Sequence, residues 1–124
     1  GMQLLYEESS EYGLHRGLGL VSGRIASLRD DVARSAKVPQ IGWNSLDVKK
    51  DSPLLSYTNP GEYVYYVHSF YAKVNAETAA ASAYEGIQVT GVVQRDNVFG
   101  TQFHPEKSGG VGQRILKDFA EMKY

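Results

Sequence analysis

The run Tyr63–Val74, YVYYVHSFYAKV, constrains the fold more than any other stretch of the chain. Valine and the aromatic residues favour extended backbone because branched and ring-bearing side chains pack well on a pleated surface. The start of the run is apolar at odd and even positions alike, so both faces of the strand must be covered. Asn59-Pro60-Gly61 just upstream is a turn signal, since proline presets one backbone angle and glycine tolerates the next.

Around this strand the remaining pattern is mixed. Ile87–Gln94 and Val98–Phe103 bracket Arg95-Asp96-Asn97 and predict a hairpin. Val111, Ile115, Leu116, Phe119 and Met122 recur at helical spacing, which predicts an amphipathic closing helix over Gly109–Tyr124. Met2–Ser9 reads as a short helix with Met2, Leu5 and Tyr6 on one face. Leu18–Leu28 reads as short strands broken at Ser22-Gly23, Arg29–Lys37 as a charged connection, and Ile41–Val48 as a strand. Ala79–Tyr84 fits a helical turn or a strand. Helix, several strands, helix: the fold class is α/β or α+β with a substantial antiparallel part.

At 124 residues the chain reads as a single domain, 1–124, large enough to bury a core without staples. A net charge of -1 gives no electrostatic reason to expect nucleic acid or an anionic membrane as partner. No apolar run is long enough to cross a bilayer, and the acidic start GMQLLYEESSEYG does not read as a secretory leader. A cytoplasmic location is the expectation. With no cysteine, disulfides and thiolate-held metals are excluded from these residues.

FHPEKS, Phe103–Ser108, carries the chemistry. On a strand, His104 and Glu106 would point to one face, so that the carboxylate could orient the imidazole. Such a pair is two thirds of a nucleophilic triad and leaves the nucleophile to be found. A surface ion pair of no consequence fits the spacing equally well. A metal held by His104, Glu106 and His68 is the weaker alternative, because their spacing matches no zinc pattern. His68, on the face of Tyr66 and Phe70, reads as a satisfied core histidine, and His15 as a loop residue without a partner. Trp43 fits core filling or an interface. Gly17–Gly23 has the wrong spacing for a dinucleotide loop, and no G-x-S-x-G elbow occurs.

FHPEKS preceded by RDNVFGTQ resembles the C-terminal signature of class I, triad-type glutamine amidotransferases. VPQIGWN and YYVHSFY are similar to segments of the glutaminase subunit of imidazole glycerol phosphate synthase, and GMQLLYEESSE to that subunit's sequence after its nucleophile elbow. The resemblance implies the C-terminal part of a flavodoxin-like amidotransferase domain, a mixed sheet with an antiparallel hairpin and flanking helices. The family's elbow reads Gly-x-Cys-x-Gly-Met-Gln, and Gly1-Met2-Gln3 matches its last three positions, which puts the thiol two residues before Gly1. The implied activity is hydrolysis of glutamine to glutamate and ammonia for histidine biosynthesis, with no metal and no cofactor. His104 would be base and acid, and Glu106 its orienter. Gln3 with the Ser69 and Phe70 backbone would bind glutamine, and Trp43 and Lys107 would face the cyclase subunit that receives the ammonia. Two expectations follow for the residues given: without a thiol they are inactive alone, and they self-associate through uncovered apolar surface. The alternative is a non-catalytic interaction module that keeps the fold.

Overall fold

The structure is a computed structural model that describes residues 1–122. Lys123 and Tyr124, which the sequence assigns to the closing helix, lie outside the described residues. In chain order the elements are β1 (Glu8–Ser9), β2 (His15–Arg16), β3 (Arg24–Ser27), α1 (Leu28–Asp31), β4 (Gln40–Ser45), β5 (Asp47–Val48), β6 (Tyr63–His68), β7 (Phe70–Ala72), β8 (Thr78–Tyr84), β9 (Ile87–Arg95), β10 (Val98–Thr101) and α2 (Gly109–Glu121). Tight 3-10 turns occur at Met2–Leu5, Pro53–Leu55 and Pro105–Lys107. The described strands form three sheets, ordered β2-β1-β3-β7, β10-β9-β8-β5 and β4-β6. The β1–β3 ladder is parallel and the others are antiparallel, which is the mixed sheet the resemblance implies.

The strand that reads as continuous is two. β6 pairs with β4, whereas β7 pairs with β3 in a different sheet, and the change falls at Ser69. The Ser69 carbonyl already belongs to the second pairing: it accepts from the Leu28 amide at 2.9 Å, one residue beyond the Ser27–Phe70 pair. Nothing in the valine and tyrosine content marks this break, because both halves are equally fit for a sheet. The two-sided covering expected at the start of the run does not hold for β6. Val64, Tyr66 and His68 on one face are buried, whereas Tyr63 and Val67 on the other are exposed and Tyr65 is half-buried; Tyr71 and Ala72 of β7 are buried.

The opening helix is shorter than its periodicity suggests. Met2–Leu5 make one 3-10 turn, Tyr6 is extended, and Glu8–Ser9 pair with β3. Sheet pairing wins here because a helix this short is marginal by itself. Met2 and Tyr6 are buried together as expected, with Leu5 packed against them. The Leu18–Ser22 half of the next predicted strand pair is not a strand. Its amides instead satisfy the carbonyls of the opening turn: Leu18 donates to Leu4 at 2.8 Å, Gly19 to Tyr6 at 3.1 Å and Val21 to Leu5 at 3.0 Å. Gly17 must be glycine, since a Cβ there would lie 2.0 Å from the Tyr6 carbonyl oxygen. The charged connection begins with α1, whose first turn is capped by the Ser27 hydroxyl accepting from the Arg29 amide at 3.2 Å.

Ala79–Tyr84 is a strand, part of β8. Ala79, Ala80 and Ala81 are completely buried, so small side chains were chosen for space and not for helix propensity. The hairpin is as predicted, with β9 reaching Arg95 and a two-residue Asp96-Asn97 turn; Asp96 takes the left-handed φ of 54° such turns require. β10 ends at Thr101 and not at Phe103. In α2 the apolar stripe is half buried. Ile115 is in the core and Val111 and Met122 pack on it, while Phe119 remains 48% exposed, edge-on to Phe99.

The largest apolar cluster lies between α2 and the sheets and includes Leu46, Val64, Tyr66, Val92, Phe103 and Ile115. Each such side chain contributes about 1.5–3 kcal/mol by leaving water. Tyr66 keeps its hydroxyl satisfied in this core: it shares a 2.8 Å hydrogen bond with Ser82, which donates to the Ser45 carbonyl at 2.7 Å. Gly91 faces this hydroxyl across the sheet. A Cβ at Gly91 would stand 2.6 Å from the Tyr66 Oη and 2.9 Å from a Leu46 methyl. Gly91→Ala should therefore lower stability by about 1–3 kcal/mol through overpacking. Gly110→Ala, whose Cβ would meet only the end of Arg114 at 3.7 Å, should be neutral or stabilising. Urea unfolding midpoints of the two variants check this, and equal midpoints would refute the crowding at Gly91.

Candidate active site

The His104 segment is held by backbone chemistry. β10 ends, the chain passes through buried Phe103, and the His104 amide donates to the Tyr65 carbonyl on β6 at 3.0 Å. The Tyr65 amide donates to the Ser108 hydroxyl oxygen at 3.0 Å, and that hydroxyl donates to the His104 carbonyl at 2.6 Å. Lys107 adds a donation from its amide to the same carbonyl at 3.0 Å. One buried serine thus links β6 to the turn that holds His104 and Glu106. Gly112 lets α2 approach this turn, because a Cβ there would sit 1.8 Å from the Pro105 carbonyl oxygen.

His104 and Glu106 do meet, with Nδ1 2.9 Å from the carboxylate Oε1. The strand geometry expected of them is not what brings them together. Pro105–Lys107 is a 3-10 turn with His104 at its head, and the turn folds the glutamate back onto the ring. Proline fits there because its missing N–H has no partner to lose at the first position of a turn. Glu106 is held below the ordinary carboxylate range, first by a hydrogen bond from its own amide and then by His104. An ionised Glu106 accepts from Nδ1–H and so fixes the tautomer that leaves Nε2 with a lone pair.

Beside this pair lies a cleft of about 410 Å³, lined by Gly1, Gln3, Glu11, Ser69, Phe70 and His104 among others. Four of the predicted site residues, Gln3, Ser69, Phe70 and His104, are therefore gathered in one place from positions up to a hundred residues apart. Gln3 spends its amide nitrogen on the Phe70 carbonyl at 2.7 Å and on the Gln102 side-chain oxygen at 2.9 Å. Its own Oε1 is the group it can offer to a ligand. Two other hollows, of about 440 and 590 Å³, contain none of these residues.

Glu11 was not among the sequence candidates, yet it supplies a carboxylate to the cleft wall. An adjoining hollow of about 280 Å³ shares Gly1, Gln3 and Glu11 with the cleft and adds Arg16. Only the reversal of the chain from the opening turn into β1 and β2 brings Glu11 and Arg16 there, so spacing carries no signal for them. His15 lies in strand β2 and not in a loop, and its ring pairs with the Tyr12 carbonyl at 2.9 Å. His68 is the buried core histidine expected, with Nδ1 2.8 Å from the Phe70 carbonyl and Nε2 2.7 Å from the Gln40 side chain. Both ring nitrogens are thereby engaged, which takes His68 out of the three-ligand metal arrangement; among the described residues no group of three His, Cys, Asp or Glu is placed to hold a metal.

Trp43 and Lys107 stand apart from the cleft. Trp43 is 55% exposed on the two-stranded β4–β6 sheet, edge-on to its cross-strand partner Tyr65 at 5.9 Å. Its ring reaches to within 4.0 Å of the Cβ position at Gly109, two residues after exposed Lys107. No described helix is long and apolar enough to cross a membrane.

Comparison with known proteins identifies the family. The sequence profile of the family Glutamine amidotransferase class-I matches residues 1–122, and the chain belongs to that family. Within it, the chain is similar to Imidazole glycerol phosphate synthase subunit HisH of Lactiplantibacillus plantarum, at 51% identity over 123 residues, covering 98% of this chain and 57% of that protein. The HisH proteins of Bacillus subtilis (50% over 125 residues, 98% of this chain, 58% of that protein) and Listeria monocytogenes (46% over 124 residues, 100% and 58%) are comparable. The chain thus spans less than three fifths of the length of these relatives. A solved structure from Thermoplasma acidophilum, described as part of a GMP synthase, aligns with a TM-score of 0.59 over 78% of this chain and 46% of that one. At 19% identity that likeness concerns the fold alone.

Two outcomes are expected of the buried polar groups. Ser108→Ala leaves the half-buried Tyr65 amide without its acceptor and should cost about 1–3 kcal/mol, measured by denaturant unfolding; an unchanged midpoint would remove the serine from its linking role. For His68, burial holds the pKa below the ordinary 6.5, against a smaller opposing effect of the Phe70 hydrogen bond. As pH falls through that value the unfolded chain takes up a proton the folded one refuses, so stability present above 6.5 is lost below it. Unfolding midpoints between about pH 7.5 and 5.5 should fall in the wild type and fall less in His68→Asn; parallel profiles would contradict the assignment.

Proposed function

We propose that this chain is part of a glutaminase that hydrolyses the side-chain amide of glutamine and passes the ammonia to a cyclase partner in imidazole glycerol phosphate synthesis. The observation that carries the reading is the 2.9 Å His104–Glu106 contact on the rim of a cleft that also holds Gly1, Gln3 and the Ser69-Phe70 wall. The 124 residues contain no cysteine, so the nucleophile must come from outside them. With Gly1 opening into the cleft, a thiol just before it in sequence would lie within reach of His104 Nε2.

In this reading Nε2 takes the thiol proton as sulfur bonds to the amide carbon. It returns that proton to nitrogen as the carbon–nitrogen bond breaks, which releases ammonia and leaves a thioester. Water activated by the same nitrogen then frees glutamate and restores the thiol. Glu106 keeps Nδ1 protonated and stabilises the imidazolium. Gln3 Oε1 and the Ser69-Phe70 backbone bind the substrate, and the Glu11 carboxylate suits its α-ammonium group. A cytoplasmic setting goes with this activity. The exposed aromatic face of Trp43, with Lys107 beside it, is the surface we assign to the cyclase, since tryptophan is enriched where interfaces are anchored. Leu4, Leu14 and Leu18, each about two thirds exposed, are the surface through which the 124 residues prepared alone would self-associate.

The test is glutamate release by the whole protein that carries these residues, assayed with its cyclase. His104→Ala should lower kcat by about 10²–10⁴-fold, and Glu106→Gln by less. The 124 residues alone should release none and should elute above monomer mass. Wild-type turnover by His104→Ala would end the glutaminase reading, and turnover by the 124 residues alone would end the claim that they are inactive.

A further inference from the structure

The Phe70 carbonyl is a junction. It accepts from Gln3 Nε2 at 2.7 Å and from His68 Nδ1 at 2.8 Å, which uses both of its lone pairs. A carbonyl can only accept, so the hydrogen of the His68 ring must be on Nδ1. Burial pushes the imidazole towards its neutral form. Nε2 is then an acceptor; the Gln40 oxygen Oε1 stands 2.7 Å from it, so a neutral ring requires the Gln40 amide turned about to present its NH₂. Gln40 is itself buried and lies directly opposite His68 in the β4–β6 ladder. The ring is thus held from both ends, with Tyr66 packed against it at 5.4 Å.

The place of this arrangement matters more than its strength. His68 is the last residue of β6 and Phe70 the first of β7, so the imidazole spans the point where the chain leaves one sheet for another. The residue between them, Ser69, forms the cleft wall together with Phe70. Gln3 reaches the same carbonyl from the opening turn, and its second N–H goes to Gln102 just past β10. Two segments distant in sequence therefore meet on one oxygen, and Gln3 ties a third to them through Gln102.

We infer that His68 is a positioning residue for glutamine: by donating from Nδ1 to the Phe70 carbonyl it fixes the Ser69-Phe70 wall and aims the Gln3 side-chain oxygen into the cleft. This rests on the glutaminase reading above. His68 touches no reacting atom, so its effect falls on substrate binding and leaves the chemical step alone.

The ring can be divided by substitution in the whole protein. Asparagine places its amide nitrogen near the position of Nδ1 and keeps the donation to Phe70. Glutamine places its nitrogen near Nε2 and keeps only the contact with Gln40. His68→Gln should raise the KM for glutamine about tenfold with kcat within about twofold of wild type, and His68→Asn should return KM to within about twofold. A residue that merely fills the core would give two variants that differ from wild type alike, or that lose active protein with KM unchanged, and either result overturns the inference. Nitrogen-15 spectra of the histidine rings give a readout without turnover: the Nδ1–H tautomer is expected for His68, and the Nε2–H tautomer refutes it. Should the wild type fail to hydrolyse glutamine, the functional reading falls while the ring spectrum still decides whether His68 holds the wall.

Discussion

The exchange of hydrogen bonds between the Tyr65 backbone and the turn that begins at His104 is the constraint on which the rest depends. A 3-10 turn headed by histidine has no reason to keep one geometry in water, since turns this short cost more order than their few hydrogen bonds return. Here the turn is fastened at both ends to a strand that is itself buried against Ile115 and Phe103. The imidazole inherits the rigidity of the sheet, and Glu106 needs only to fold back over one proline to orient it. Surface pairs of this kind are usually worth little in stability, and this one is exposed. Its value lies in direction: it determines which nitrogen of the ring carries the proton.

The same economy runs through the cleft. Its walls come from the ends of elements, where the backbone has unpaired groups to offer, and each end is secured by a buried or half-buried polar side chain. Ser108 secures the histidine turn, and His68 with Gln40 secures the bend at Ser69. Gln3 secures the opening turn through Phe70 and Gln102. In a medium of low polarity an unpaired member of such a set would cost more than the set contributes when complete. The groups in contact with the cleft are therefore specified together, although they come from opposite ends of the chain.

Much of the architecture was legible in the sequence. The alternation of Ile87–Arg95 and Val98–Thr101 around a turn, and the helical spacing of Val111, Ile115 and Met122, are local patterns that the fold obeys. The meeting of His104 and Glu106 was legible in FHPEKS, though for an incomplete reason: strand alternation suggested that the histidine and glutamate share a face, and a turn is what unites them. The readings that failed were decided by remote partners. The opening segment gave up helix because Glu8–Ser9 found β3, and Leu18–Val21 became caps for the opening turn. The alanine run, left open between helical turn and strand, became strand in a place where Ala79, Ala80 and Ala81 are completely buried and side chains must be small. Glu11 and Arg16 could not be found by spacing at all.

By itself the sequence determined the residue types, the hairpin, the closing helix and the family to which the motifs belong, because these depend on periodicity and on short runs of side chains. Tertiary structure alone decided that the tyrosine-rich run divides between two sheets at Ser69, that His68 and Gln3 converge on one carbonyl, and that Glu11 stands in the same cleft as His104. Those outcomes depend on which distant backbone group satisfies a buried donor or acceptor, and a linear order of side chains does not encode that choice until the chain has closed on itself.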